Sequence, residues 1–246
     1  MASRRNAIHE RFFTALTSGD RATAHAVIDH TLEQGLEAPE ILSNLVWTSL
    51  QHIQGLHRED QLTPLAYQYA TRLLRQIVDQ MQLRLERKDP RGVTVLVVSG
   101  QEQSEEIAAQ MTTDFLEADG YRCFFPGGGI ANDEIVNQLG ELKADKLVIF
   151  GAVASTVPQT RLLIDHLQSI NACPNLQVVV GGGVFNRAEG LAEEIGADLW
   201  ANDPAEIVEV MNESPNRRMT PDQRTVGRKR RPTAAPTSPA AQSNAA

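Results

Sequence analysis

The sequence predicts an α + α/β protein with a four-helix bundle, a five-stranded parallel sheet of the Rossmann-like (flavodoxin-like) type, and a disordered tail. Up to about residue 87, apolar residues recur at three- and four-residue steps, which is typical of amphipathic helices. Beyond that point, short β-branched runs alternate with helical segments, as in parallel sheets covered on both faces. We therefore expect a helical bundle over residues 1–88, a sheet domain over 92–213 and a tail over 214–246.

The bundle is predicted to contain four helices with short connections. The first two meet at Gly19-Asp20, where a C-cap glycine is followed by an N-cap aspartate. The second helix ends at Gly35, and a third begins near Pro39. Pro64 opens the long fourth helix, in the first-turn position that proline favours.

The sheet domain follows a linker at residues 89–92 that is rich in turn-forming residues. Its first predicted strand is a continuous run of apolar and β-branched residues, which indicates a strand buried on both faces. The predicted strands span residues 93–98, 121–125, 146–150, 176–180 and 199–200, and the predicted helices span 104–118, 132–142, 158–170, 187–195 and 204–211.

Composition excludes several classes of protein. The chain has 246 residues, 41% of them hydrophobic, but no run approaches the roughly 20 apolar residues of a membrane helix. Its first residues lack the apolar core of a secretory leader. Two cysteines are too few for a disulfide scaffold or a four-cysteine zinc site. We expect a cytoplasmic protein that does not associate with membranes.

Charge is distributed unevenly along the chain. Residues 214–246 hold seven basic side chains and one acidic side chain, although the whole chain has a net charge of −8. An acidic body is a poor partner for phosphate backbones. Any contact with nucleic acid is therefore expected through the basic run 228–231, which equally suits an acidic partner, the body itself or a plain solubilising tail.

Glycines follow most of the predicted strands, at position 100, at 127–129, at 151 and at 181–183. Ligands of open parallel sheets bind beyond the carboxyl ends of the strands. Glycine lets a ligand approach the backbone closely and leaves N–H groups free to face it. The dinucleotide fingerprint Gly-x-Gly-x-x-Gly is absent after the first strand, so these glycines predict a different ligand.

A bundle followed by this sheet, with the segments at residues 95–100, 115–121 and 195–198, resembles the cobalamin-binding modules of methionine synthase and of light-sensing repressors. The resemblance covers residues 8–212. It implies a B12-binding domain whose cofactor lies between the bundle, as a cap, and the carboxyl edge of the sheet.

The ligand motif of that family is altered in this chain. Family members carry Asp-x-His-x-x-Gly in the first loop, and the histidine replaces the cofactor's own base beneath cobalt. Gln101 stands at the aspartate position, Gln103 at the histidine position and Glu106 at the glycine position. An amide is a poor cobalt ligand beside imidazole. The resemblance therefore implies a corrinoid site without its lower histidine.

The positions that would meet the cofactor's nucleotide tail are only partly kept. The family's Ser-x-Leu falls on residues 151–153, which begin with Gly151 and end with Val153. The glycine pair of the fourth strand persists as Gly181 and Gly182.

The cap side has changed as well. The resemblance places His57, Tyr67 and Gln68 at the positions where the light-sensing branch carries a tryptophan and a Glu-His pair. His57 is a candidate axial ligand for a haem-like tetrapyrrole, a candidate pH-sensitive contact, or an ordinary exposed histidine. Cys123 is a candidate anchor for a bilin or, as for most cysteines in strands, a small buried apolar group.

Enzymatic activity is not expected. Glu102, Glu105 and Glu106 open a predicted helix, where glutamates are typical surface residues favoured by the helix dipole. The sequence shows no nucleophile–base pair, metal triad or phosphate loop.

The preferred hypothesis is a non-catalytic sensory or regulatory module that binds a tetrapyrrole between bundle and sheet and signals through a protein partner. The candidate ligands are a cobalamin without a lower histidine, a haem and a bilin. The alternatives are a ligand-free interaction scaffold and a corrinoid carrier for methyl transfer. The predicted cofactor-binding residues are His57, Tyr67, Gln68, Gly100, Gln101, Gln103, Gly127, Gly128, Gly151, Val153, Ser155, Gly181 and Gly182.

Overall fold

The computed structural model describes residues 2–151, 154–171, 173–188 and 190–219. Its N-terminal part is the predicted four-helix bundle, hereafter the cap. Asp20 and Thr63 cap the second and last of its helices through their side chains. A π-helical segment, Leu42–Trp47, joins two pieces of the third helix. The cap helices are α1 (Ala2–Ser18), α2 (Arg21–Glu33), α3 (Ala38–Ile41), α4 (Thr48–Arg58) and α5 (Pro64–Gln82).

The rest of the described chain forms a parallel sheet of five strands in the order β2-β1-β3-β4-β5. Its strands are β1 (Thr94–Ser99), β2 (Arg122–Phe124), β3 (Lys146–Phe150), β4 (Gln177–Gly181) and β5 (Leu199–Ala201). Its helices are α6 (Gln103–Ala118), α7 (Asn132–Leu142), α8 (Val157–Ile170), α9 (Gly183–Arg187), α10 (Leu191–Ile195) and α11 (Pro204–Glu213). The predicted fold class is confirmed. The direction in which strands are added to the sheet reverses between β1 and β3. The crevice beyond the carboxyl ends of these two strands is therefore the topological switch point of the sheet.

The sheet separates two hydrophobic cores. Val95 and Val97 point to the face that holds α6, α11 and the cap, and this core runs without a break into the bundle. Leu96 and Val98 point to the opposite face, where α7, α8 and α10 pack. Helix α6 therefore lies between the sheet and α5, and it is the element through which the cap meets the sheet.

The linker is tied to the end of α6. Asp119 is buried and pairs with Lys88 at 2.5 Å and with Arg91 at 2.6 Å. Asn212 of α11 donates a further hydrogen bond to the same carboxylate at 2.8 Å. This cluster holds the linker against the sheet domain and so helps to set the position of the cap.

Two features differ from the sequence prediction. The single helix predicted over 187–195 is two short helices, α9 and α10, and Gly190 at a φ of +79° precedes the second. The tail was expected to be disordered from Ser214, but residues 214–219 make defined contacts with the sheet. Gln177 donates to the carbonyls of Ser214 and Arg217 at 3.0 and 2.9 Å. The basic run 228–231 lies outside the described residues.

No helix within the described ranges is long and apolar enough to span a membrane.

Candidate functional site

The turn after β1 places a buried carboxylate at the carboxyl edge of the sheet. Glu105 is fully buried, and its Oε2 accepts the backbone N–H of Glu102 at 3.2 Å in a capping box. A Cβ on Gly100 would collide with this carboxylate, so the glycine is needed for the chain's own packing. The expectation that all three glutamates are surface residues is therefore wrong for Glu105. Its carboxylate is stabilised at the helix N-terminus.

Gln103, at the position of the family's lower histidine, is hydrogen-bonded to the cap. Its Oε1 accepts the Thr71 hydroxyl at 2.6 Å, and its Nε2 donates to Gln68 Oε1 at 3.0 Å. We call the two hydrogen bonds that join Gln103 of α6 to Thr71 and Gln68 of α5 the α5–α6 contact. Both the oxygen and the nitrogen of the Gln103 amide thus form hydrogen bonds within the protein. Gln103 and Gln68, two of the predicted site residues, are in direct contact.

Three further polar residues around the first turn of α6 were not predicted. Gln54 of α4 donates to the Ser104 hydroxyl at 3.2 Å, and Arg75 of α5 forms a 2.8 Å salt bridge with Glu106. Arg75 follows Thr71 by four residues on the same face of α5. This four-residue spacing is the feature of the sequence that could have indicated that Arg75 joins Thr71 at the contact with α6.

His57 and Tyr67 stack on each other beside this contact. Their ring centroids are 3.9 Å apart and their planes are inclined by 14°. Ser104 interacts with the Tyr67 hydroxyl, which places the stack over the first turn of α6; burial raises the pKa of Tyr67. Nδ1 of His57 is buried and has no hydrogen-bond partner among the described residues. Leaving such an atom unsatisfied costs about 1–3 kcal/mol.

Gly181, the glycine at the end of β4, does not line open space on the cap face. A Cβ on Gly181 would meet Ile207 and the Phe150 ring. Trp47, at the end of the π-helical segment, packs edge-on against Phe150 with ring centroids 6.0 Å apart. The expected glycine-lined opening is therefore filled here by the chain's own side chains.

A cavity of about 640 Å³ lies at the switch point, on the α7–α8 side of the carboxyl edge. We call it the switch-point cavity. Its walls carry hydroxyl and amide side chains and the glutamates of the α6 capping box, and the described residues that line it include no lysine or arginine. Of the predicted site residues, Gly100, Gln101, Gly151 and Ser155 line this cavity.

The remaining predicted residues have other places. Gly127 accepts the Ser99 N–H at 3.3 Å, and Gly128 forms a parallel bridge with Ser99, so both extend the pairing of β2 with β1. Gly182 is buried with a φ of +116° at the start of α9. Val153 lies outside the described residues. The predicted residues are thus divided among the α5–α6 contact, the switch-point cavity and structural positions in the sheet and its turns.

Cys123 does not have the environment of a reactive thiol. It is half-buried in β2, and burial raises the pKa of its thiol to about 12. Attachment of a bilin needs a thiolate, so the interpretation as a small apolar residue fits better. Within the described ranges, no three His, Cys, Asp or Glu side chains are grouped to hold a metal ion.

The known proteins that this chain resembles are corrinoid proteins. No protein-family model matches the chain. It is 30% identical to a corrinoid protein of Desulfitobacterium hafniense over 107 residues, or 44% of this chain and 49% of that one. It is 23% identical to monomethylamine corrinoid protein 2 of Methanosarcina barkeri over 136 residues, or 54% and 61% of the two chains. The chain thus spans about half the length of the curated relatives it matches.

The fold comparison agrees. The structure of a monomethylamine corrinoid protein of Methanosarcina barkeri superposes with a TM-score of 0.73 at 18% sequence identity, covering 85% of this chain and 98% of that one. The chain shares the fold of a corrinoid protein. The predicted cobalamin-binding fold is supported in this general form, without the particular likeness to methionine synthase or light-sensing repressors. The expectation of a sensory module is wrong, because the relatives are corrinoid proteins, two of the three named for methylamines.

Proposed function

We propose that this chain is a corrinoid-binding carrier that accepts a methyl group from one protein partner and delivers it to another. The observation that carries this proposal is the 30% identity to a corrinoid protein over 107 residues. The shared fold with a monomethylamine corrinoid protein supports it independently. Bound corrinoid would supply a cobalt that takes up and releases methyl groups, and the chain would hold and shield it.

The cap side of the site holds one candidate nitrogen donor for such a cofactor. The unsatisfied Nδ1 of His57 offers a nitrogen at the crevice between cap and sheet, and the Tyr67 ring holds the imidazole in place. The loop side does not supply a ligand, because Gln103 has replaced the imidazole and is bonded to Thr71 and Gln68. We infer that the corrinoid is bound mainly from the cap and without a lower histidine.

Entry of a planar macrocycle requires the α5–α6 contact to open. Each of its neutral hydrogen bonds stabilises the closed form by about 0.5–1.5 kcal/mol. A cofactor that binds in the micromolar range does so with about 8 kcal/mol, and this net value already includes the cost of opening the contact. Under this proposal Thr71, Gln68 and Gln103 close the crevice of the free chain and separate when the cofactor enters.

The chain alone is proposed to be a carrier and not a catalyst. A corrinoid is proposed instead of a haem or a bilin because the relatives are named for corrinoids. Burial also raises the pKa of the Cys123 thiol, which disfavours the thiolate that attachment of a bilin needs. A ligand-free interaction scaffold is the second candidate. It is favoured by the complete use of the Gln103 amide within the protein and by the filled space beside Gly181.

Binding of aquocobalamin to the full chain tests the proposal. Equilibrium dialysis should give a single site, and the corrinoid should co-elute with the protein on gel filtration. Thr71→Val removes one hydrogen bond of the closed form and should tighten binding roughly fivefold. Thr112→Val is the matched control, since the Thr112 hydroxyl is also buried but bonds Ala108 within α6. Absence of any retained corrinoid would contradict the proposal and favour the scaffold.

Transfer is tested separately. The chain loaded with methyl-labelled methylcobalamin should pass its label to a small product when extract of the native host is added. Label that stays with the corrinoid under these conditions contradicts the carrier role but leaves corrinoid binding intact.

A further inference from the structure

The switch-point cavity has the size and the position of a small-molecule site. Its volume of about 640 Å³ falls within the range of about 300–1,000 Å³ that is usual for ligand pockets. It opens at the place where open parallel sheets bind their ligands. Phe150 lines the cavity and also packs against Trp47 of the cap, so its ring stands between the cavity and the closed cap side.

The charges around the cavity disfavour an anion. Helices α6, α7 and α8 all begin beside it, and each N-terminus acts as about half a positive charge. Glu102 and Glu105 line the cavity, and Asp133 and Glu134 lie in the first turn of α7. These four carboxylates outweigh the three helix N-termini. The lining residues that the structure describes also include no lysine or arginine to bind a phosphate group.

The two glutamates in the cavity do not call for a cationic ligand either. Each carboxylate accepts a backbone N–H within the capping box that opens α6. Their charge is thereby stabilised by the start of the helix itself. We therefore expect a ligand without net charge, whose hydroxyl groups can donate to the carboxylate oxygens.

The amide side chains of the walls suit the edge of a heterocyclic base. Gln101, Asn132 and Gln159 line the cavity, and an amide both donates and accepts hydrogen bonds, as the edge of a base does. Within the described part of the chain, the amides of Gln101 and Gln159 form no hydrogen bond, so both are available to a ligand. Glu102, in the turn after β1, supplies the kind of carboxylate that accepts the hydroxyl groups of a ribose in other parallel-sheet proteins.

The inner part of the cavity is aliphatic. Ile135 of α7, Ile149 of β3 and Leu163 of α8 are buried and line it. A flat ring with apolar faces gains free energy by covering such side chains. A sugar alone carries hydroxyl groups around its whole rim, and burying them against aliphatic walls without hydrogen bonds is unfavourable. The walls thus favour a base joined to a ribose over a free sugar.

We propose that the switch-point cavity binds an uncharged nucleoside, with its base between α7 and α8 and its ribose hydroxyl groups at Glu102. This inference goes beyond the proposed function and does not depend on it. It gives the chain a small-molecule site on the face of the sheet opposite the cap.

Isothermal titration of the full chain with each of the four common ribonucleosides tests the proposal. At least one should bind saturably at a single site. Its 5′-monophosphate should bind at least tenfold more weakly, because the phosphate meets carboxylates and no cation. Its 2′-deoxy form should also lose about tenfold in affinity, because it lacks one of the hydroxyl groups that donate to Glu102.

Variants locate the site. Ser155 is an exposed residue at the cavity, so Ser155→Trp should block the cavity and abolish binding without disturbing the core. Ser169→Trp is the matched control, since Ser169 is exposed near the other end of α8, and it should bind as the wild type does. Glu102→Gln keeps an acceptor oxygen for the capping box but loses the charge, and it should narrow the difference between nucleoside and monophosphate. Far-UV circular dichroism verifies that each variant is folded.

The other outcomes overturn the assignment. Failure of all four nucleosides to bind shows that the cavity is not a nucleoside site. A monophosphate that binds as tightly as its nucleoside contradicts the charge argument, and D-ribose that binds equally well identifies a sugar site instead. Binding that survives in Ser155→Trp places the nucleoside elsewhere. Retention of aquocobalamin is measured separately, so none of these results decides whether the chain binds a corrinoid.

Discussion

The two sides of the carboxyl edge are built differently. On the cap side, α5 and α6 are joined by hydrogen bonds and a salt bridge, and Trp47, Phe150 and Ile207 fill the space beside β4. On the far side, α7 and α8 leave a cavity of about 640 Å³ with polar walls. The proposed cofactor site is on the closed side and not in the open volume. The closed side carries the unsatisfied imidazole, while the open side carries two glutamates and no cation among its described lining residues.

Replacement of Trp47 tests how tightly the cap side is packed, and it should have the largest effect. Trp47→Ala removes a buried aromatic ring from between the cap and Phe150, and we expect a loss of about 3–5 kcal/mol in the free energy of unfolding. Urea denaturation followed by circular dichroism measures it. Trp200→Ala is the control, since Trp200 is 38% exposed, and it should cost about 1 kcal/mol or less. Equal losses would show that the cap side is loosely packed.

The pH dependence of stability tests the same side through Asp114 of α6. Asp114 is buried, its Oδ1 accepts Gln110 Nε2 at 2.7 Å, its Oδ2 has no described partner, and burial raises its pKa to about 7. The unfolded chain loses this proton near pH 4. The folded chain holds it up to pH 7, so the free energy of unfolding should fall as the pH rises from 4 to 7.

Asp114→Asn removes this pH dependence, because an amide has no proton to lose. At pH 8 the variant should be more stable than the wild type by roughly 2 kcal/mol, and the advantage should shrink towards pH 5. Chemical denaturation at a series of pH values provides the measurement. Asp165→Asn on α8, on the far side of the sheet, should leave the shape of the profile unchanged. A profile of Asp114→Asn parallel to that of the wild type would refute the burial argument.

A matched pair of serines should give the smallest effect and the most direct contrast. Ser104→Ala loses the hydrogen bond from Gln54 and the side-chain interaction with the Tyr67 hydroxyl, at a cost of about 1 kcal/mol. Ser155→Ala, at an exposed position of the switch-point cavity, should change the free energy of unfolding by no more than about 0.5 kcal/mol. Thermal and urea unfolding compare them. A larger loss for Ser155→Ala would reverse the comparison.

Most of the fold is predictable from the sequence because it depends on local periodicity. The alternating buried strands and the amphipathic cap helices were found, with ends displaced by a few residues. The split of the helix predicted over 187–195 into α9 and α10 was missed, since the apolar spacing continues across the break. Likewise, the burial of Glu105 depends on how closely the turn at Gly100 approaches its carboxylate, which no local pattern reports.

The site was only half predictable. The resemblance to a known family selected Gln103, Gln68, Tyr67 and His57, and the structure brings all four to one place. The resemblance did not indicate the hydrogen bond between Thr71 and Gln103, because a bond between the cap and the sheet domain depends on how their helices pack together. The glycine pattern indicated the switch point but not which face of the sheet would be open, as this is decided by side chains such as Phe150.

The π-helical segment Leu42–Trp47 has a consequence for the direction in which α4 points. A π-helical turn holds one residue more than the α-helical path it replaces, and one residue is about 100° of rotation. Every side chain downstream on α4 is turned by that angle relative to α3. Deletion of a single residue from this segment would rotate the His57 imidazole away from Tyr67 by more than a quarter of a circle. The orientation of His57 is therefore set by a segment that ends ten residues before it in the chain.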